Sequence, residues 1–205
     1  MRLVAEGLSR SFGTRKVIGP LSFSLENGRV LGVAGENGSG KTTLLRVLAG
    51  LIRPSSGRVV FEEDGMSLAP RDASHALGWF APDLALDGAL TAAENLDFFA
   101  AVRGLRPDKG AAERWLAGVG LDPRRVADVP LRALSTGQRQ RVKLAYATLH
   151  DPGVLLLDEP GANLDEAGRA VVQKVVASQR SRGIAIIASN DLRDLALADE
   201  RLALS

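Results

Sequence analysis

The chain predicts a parallel α/β core interrupted by a helical insert. Three observations carry this expectation. Strand-type and helix-type segments alternate at both ends of the chain; the stretch between them, from about Ala89 to His150, is alanine-rich and helix-patterned. The run Val154 to Leu157 is apolar at every position, as in a strand covered on both faces.

Taken in order, Leu21, Phe23 and Leu25 alternate with Ser22, Ser24 and Glu26, which is the period of a half-buried strand. Asn27-Gly28 follows and leads into Val30-Leu31, a pattern that reads as a hairpin turn between two strands. The strand from Val30 to Ala34 ends in Gly35-Glu36-Asn37-Gly38-Ser39-Gly40. Beyond it Leu44, Leu45, Val47 and Leu48 recur at helical spacing until Gly50. Pro54 to Gly57 predicts a turn and Arg58 to Phe61 a short strand. In the insert, Thr91 with Glu94 and Ser135 with Gln138 are capping boxes that open helices, and Arg106-Pro107 and Asp122-Pro123 mark loops. Val171, Val172, Val175 and Val176 line one face of a later helix stopped by Gly183. Ile184 to Ala188 and about Arg201 to Leu204 are the closing strands.

A chain of 205 residues with 45% hydrophobic and 24% charged residues is an ordinary globular protein, so disorder and fibrous repeats are excluded. With no cysteine, thiolate metal sites, iron–sulfur clusters and a thiol nucleophile are excluded too. The formal charge of +2 is not the footprint of a nucleic-acid binder. No apolar run approaches the roughly 20 residues that span a bilayer. The start of the chain, broken by Glu6, Ser9 and Arg10, has no signal-peptide core, so the expected location is cytoplasmic.

Gly35-Glu36-Asn37-Gly38-Ser39-Gly40-Lys41-Thr42 is a full G-x-x-x-x-G-K-T between a strand and a helix. Such a loop brings several backbone N–H groups and a helix N-terminus to phosphate oxygens. Lys41 would reach the β- and γ-phosphates and the Thr42 hydroxyl would ligate Mg²⁺. The other reading is a glycine-rich turn that matches by accident. Downstream, Val154 to Leu157 is followed by Asp158-Glu159 at the C-terminal end of a strand, where α/β sheets bind ligands. Asp158 is placed to hold Mg²⁺ and Glu159 to act as general base on the attacking water. The alternative is a buried strand ended by a solvated acidic turn and Pro160.

Leu134-Ser135-Thr136-Gly137-Gln138 resembles the signature motif of the ATP-binding cassette (ABC) family, L-S-G-G-Q, with Thr136 in place of the first glycine. The resemblance covers nearly the whole chain and implies a P-loop NTPase with a RecA-like core, an N-terminal antiparallel β portion and an inserted helical subdomain. It places the core at 1–84 and 151–205 and the helical part at 85–150. It further implies ATP hydrolysis with Mg²⁺. ATP would be held by Phe12, stacked on adenine, and by Gly35, Asn37, Gly38, Ser39, Gly40, Lys41, Thr42 and Thr43. Ser135, Gly137 and Gln138 would meet the ATP of a second copy in a head-to-tail homodimer. Gly161-Ala162-Asn163-Leu164-Asp165 is similar to the family's D-loop. Phe12 taken alone would more often be a core residue.

Besides Thr136, two positions depart from the family pattern. Asp83 falls where the Q-loop glutamine is expected, by its distance to Leu90-Thr91 and Glu94-Asn95-Leu96; it would serve metal-bound water, or be an uninvolved loop acid. Asn190, in Ala188-Ser189-Asn190-Asp191, replaces the switch histidine. Asparagine can hydrogen-bond the γ-phosphate or the water but cannot carry a charge, so slower hydrolysis is expected. His75 and His150 lie outside every motif and have no neighbour at ligand spacing.

The resemblance implies the energy-supplying subunit of a transporter, peripheral on the inner face of the cell membrane and docked on a separate transmembrane permease through the helical part. Within the family, the compact length, the run from Leu134 to Val142 and the abrupt C-terminus are similar to the haem-exporter subunit of cytochrome c maturation. A soluble, non-transport ABC ATPase acting on a macromolecular complex is the second reading. It is opposed by the single cassette, the absence of a long coiled-coil insert and the near-neutral charge. A P-loop kinase or GTPase would have no use for Leu134 to Gln138.

Overall fold

The computed structural model describes residues 1–63 and 65–204; Asp64 and Ser205, both inside the expected core segments, lie outside the described residues. Two sheets organise the chain. The first is antiparallel, formed by β1 (Arg2–Phe12), β2 (Arg15–Glu26), β4 (Ser56–Glu63) and β5 (Met66–Leu68) in the order β2-β1-β4-β5. The second is parallel, formed by β3 (Val30–Ala34), β6 (Leu77–Phe80), β7 (Val154–Asp158), β8 (Ile184–Ser189) and β9 (Glu200–Ala203) in the order β6-β7-β8-β3-β9.

The turn at Asn27-Gly28 is therefore not a hairpin. β2 pairs antiparallel with β1, whereas β3 leaves for the parallel sheet between β8 and β9. The alternating pattern of β2 and the all-apolar pattern of β3 already differ: one strand covers a core with a single face, the other is buried on both. Gly28 carries the change of direction at φ 89°, its N–H donating to the Gly183 carbonyl.

β7 and β8 are buried at every residue, and their alternation sorts two cores. Val154, Leu156, Ile184, Ile186 and Ala188 pack toward α1 (Lys41–Leu48) and the antiparallel sheet, among Leu44, Leu48 and Phe61. Leu155, Leu157, Ala185 and Ile187 face the opposite way. There they meet α2 (Ala92–Val102), α3 (Ala111–Gly118), the short α4 (Pro123–Val126), α5 (Thr136–Thr148) and α6 (Glu166–Arg180). Asp122-Pro123 opens α4 rather than a loop: Asp122 accepts from the Arg124 N–H and Pro123 takes the first turn, where its missing N–H costs nothing. Both predicted capping boxes form, Thr91 with Glu94 and Ser135 with Gln138. A last short helix, α7 (Leu192–Leu195), joins β8 to β9.

Candidate active site

The loops after β3, β7 and β8 converge at the C-terminal edge of the parallel sheet, where the strand carbonyl ends leave a crevice. Gly40 is the N-cap of α1 at φ 100°, and a Cβ there would stand 2.8 Å from the Val17 carbonyl oxygen. Only glycine satisfies both the angle and the neighbour. No side chain caps α1 and no acid occupies its first turn, so its leading N–H groups offer an anion both donors and the positive end of the helix dipole.

Lys41 is 6% exposed. Its Nζ donates to the carbonyls of Gly35 (2.8 Å) and Glu36 (3.1 Å) and lies 3.3 Å from Glu159 Oε1. Next to it, Thr42 Oγ1 donates to Asp158 Oδ2 at 2.6 Å. The second Asp158 oxygen, Oδ1, is buried with no hydrogen-bond partner among the described residues. Burial raises the Asp158 carboxyl above its ordinary value. The Thr42 hydrogen bond opposes this, and the neighbouring charges of Glu159 and Asp83 add to it.

Glu159 has a left-handed backbone, φ 47°, a conformation rare for a residue with a side chain. Its N–H is anchored on the Ala188 carbonyl at 2.7 Å, which locks the turn that lifts the carboxylate off the end of β7. Oε2 accepts from Ser189 Oγ at 2.9 Å and from the Asn190 N–H at 3.4 Å. Asn190 Nδ2 donates to Asn37 Oδ1 at 3.2 Å, which ties the end of β8 to the phosphate-type loop.

Lys41, Thr42 and Glu159 line a cleft of about 390 Å³ with Phe12, Arg15, Val17, Asn37, Gly38, Gly40 and Thr43. Phe12 is 47% exposed, with the Arg10 guanidinium 4.4 Å from its ring centroid, so it is a surface aromatic and not a core residue. Ser39 turns its hydroxyl inward, where it is buried. Arg15 and Val17 belong to the lining but were not singled out from the sequence, because they follow no motif and reach the cleft only through the pairing of β1 with β2.

Other expected site residues lie apart from this cleft. Ser135, Gly137 and Gln138 stand at the start of α5, open to solvent or half-buried, Ser135 Oγ accepting from the Gln138 N–H at 3.2 Å. Asp83, in the loop after β6, is directed at Arg46 at 3.1 Å and is well exposed. Asp165 caps α6 by accepting from the Gly168 N–H. His75 and His150 line a separate groove with Phe99, Arg103 and Tyr146, and among the described residues no group of three or more acids, histidines or cysteines could hold a metal.

A family described as "ABC transporter" matches residues 18–162. The chain is 39% identical over 193 residues to the cytochrome c biogenesis ATP-binding export protein CcmA of Mesorhizobium japonicum, covering 94% of this chain and 92% of that one. It is 42% identical over 187 residues to the CcmA of Alkalilimnicola ehrlichii, covering 91% and 78%. Among solved structures, the ATP-binding cassette MJ0796, a dimer in a post-hydrolysis state bound to ADP and Pi, superposes with a TM-score of 0.86. It does so at 21% identity over 99% of this chain and 94% of that one, a likeness of fold. With the family's match spanning both phosphate-type motifs and the signature run, the chain belongs to the ABC transporter family, as an ATP-binding and ATP-hydrolysing subunit.

Proposed function

We propose that the cleft at the ends of β3, β7 and β8 hydrolyses ATP, with Glu159 as general base. The observation that carries this reading is the meeting of Lys41 and Thr42, from the start of α1, with Glu159 and Asp158, from the end of β7, through the Lys41–Glu159 and Thr42–Asp158 contacts. The first turn of α1 and Lys41 bind the phosphates, Phe12 receives the adenine, and Glu159 takes a proton from the attacking water. Asn190, held over the cleft by Asn37, contributes a neutral hydrogen bond where the family carries histidine.

Mg²⁺ fits the residues present. Asp158 Oδ1 is a buried carboxylate oxygen without a partner among the described residues, beside the Thr42 hydroxyl. An oxygen pair of that kind suits a hard divalent cation. Thr42 and Asp158 would hold it; Asp83, paired with Arg46 outside the cleft, would reach it only through water and after leaving Arg46. When bound, the cation neutralises charge on the transferred phosphoryl group.

The reading extends to the assembly. Two copies would face head to tail, each cleft covered by Ser135, Gly137 and Gln138 of the other copy. The dipole of α5 would then oppose that of α1 across the ATP phosphates. Residues 85–150 form the helical subdomain and 1–84 with 151–205 the core. The helical part would dock on a separate transmembrane permease at the inner face of the membrane; none of the described helices is itself long and apolar enough to span it. The names borne by the two relatives point to export in cytochrome c biogenesis as the transport step. The experiment is Glu159→Gln: it is expected to abolish steady-state ATP turnover and to trap an ATP-bound dimer on size exclusion. A variant that turns over ATP at the parent rate, or stays monomeric with ATP, overturns the scheme.

A further inference from the structure

We propose that Ser189 is a positioning residue for Glu159, its hydroxyl setting the orientation of the carboxylate and tying it to the loop Gly161 to Asp165. The inference rests on the hydrolytic reading above. Ser189 is fully buried at the end of β8, and its Oγ lies 2.9 Å from Glu159 Oε2 and 2.9 Å from Asp194 Oδ2. A hydroxyl carries one proton, so it can donate to only one of the two carboxylates at a time. One lone pair is already committed, because the Asp191 N–H donates to Oγ at 3.0 Å. That bond fixes the oxygen and leaves the proton to rotate between Glu159 and Asp194.

The two acceptors are not equivalent. Asp194 has other partners: Arg169 Nη1 at 3.5 Å and the Gly161 N–H at 3.3 Å. Glu159 Oε1 has the Lys41 ammonium, but among the described residues Oε2 has, besides Ser189, only the long bond from the Asn190 N–H. Ser189 is therefore the side-chain donor that holds Oε2, and hence the direction in which Oε1 faces the cleft. Asp194 reaches the base through that same hydroxyl. Because it also accepts from Gly161, a displacement of the loop after Pro160 alters what Ser189 can offer Glu159. Arg169, which also lies 3.1 Å from Asp191, secures Asp194 from α6. A buried serine satisfied for stability alone would need one acceptor; this one stands between two carboxylates, and one of those is the proposed base.

The test is steady-state ATP hydrolysis by the full chain, with kcat and KM separated and nucleotide affinity measured independently with a fluorescent ATP analogue. Ser189→Ala is expected to lower kcat about tenfold with KM within about twofold, since general-base catalysis depends on placement of the base. Ser189→Thr, which keeps the hydroxyl, is expected to retain kcat within about threefold. Ser189→Val, isosteric with threonine and therefore carrying the same packing burden, is expected to behave like the alanine variant, which keeps the test valid if Ser189→Ala fails to fold. Equal kcat for the threonine and valine variants, or a loss that appears in KM instead of kcat, overturns the role of Ser189 and leaves Glu159 as base untouched. A parent chain that binds the analogue but never turns over ATP overturns the hydrolytic reading and this inference with it.

Discussion

His150 should make the chain lose stability at mildly acidic pH. Its Nε2 lies 3.1 Å from the Leu77 carbonyl, while Nδ1 is buried with no partner among the described residues, so the neutral ring with its proton on Nε2 fits the site and the imidazolium does not. Desolvation by burial, joined by the charge of Arg103, pushes the imidazole down from 6.5 to about 4. Between those values the unfolded chain binds the proton and the folded chain refuses it. The stabilisation is thus complete above pH 6.5 and is lost as pH falls toward 4. At about 1.36 kcal/mol per pH unit, the full displacement corresponds to about 3.4 kcal/mol. The ring is only partly buried, and screening by water at its open side reduces the contribution to about 1–2 kcal/mol. Urea unfolding at pH 7.5 and 4.5 should show the parent losing about that much more stability than His150→Gln, whose amide can still donate to Leu77. Equal losses in the two proteins, or an imidazole titrating near 6.5 by NMR in the folded chain, would refute the reasoning.

Other consequences follow from single residues. Gly40→Ala places a Cβ against the Val17 carbonyl at φ 100°, and ATP affinity, read with a fluorescent analogue, should fall at least about tenfold. Asn190→His, which restores a chargeable group over the cleft, should raise turnover above the parent, and Asn190→Ala should lower it; a rate unchanged by both would remove the position from the mechanism. Leu156→Ala, at the centre of β7 and fully buried, should cost about 2–5 kcal/mol in urea unfolding with no special loss of nucleotide affinity per folded molecule. Thr91→Ala breaks one capping box and should cost about 1 kcal/mol.

Much of this protein is decided locally and could be read without coordinates. The phosphate loop needs glycines at fixed offsets because its backbone must turn where a Cβ would collide. The two capping boxes are pairs three residues apart, and the all-apolar run Val154 to Leu157 announces a strand covered on both faces. The family resemblance rests on those same short motifs. What escaped was non-local. Asn27-Gly28 has the residues of a hairpin, yet β3 gains more by entering the parallel sheet, where both of its faces are buried, than by pairing with a one-sided β2. β6 is four residues long and lacks a pattern strong enough to separate it from a loop. The Ser189 junction is the clearest case. Its partners come from the end of β7, from α7 and, through Arg169, from α6, and no spacing along the chain links them. The sequence by itself determined which residues can bind phosphate and which carboxylates follow the buried strand. Only the tertiary structure decided which carboxylate oxygen is left unpaired, which is held, and by what, because hydrogen bonds are satisfied between elements that meet only when the two cores close around the parallel sheet.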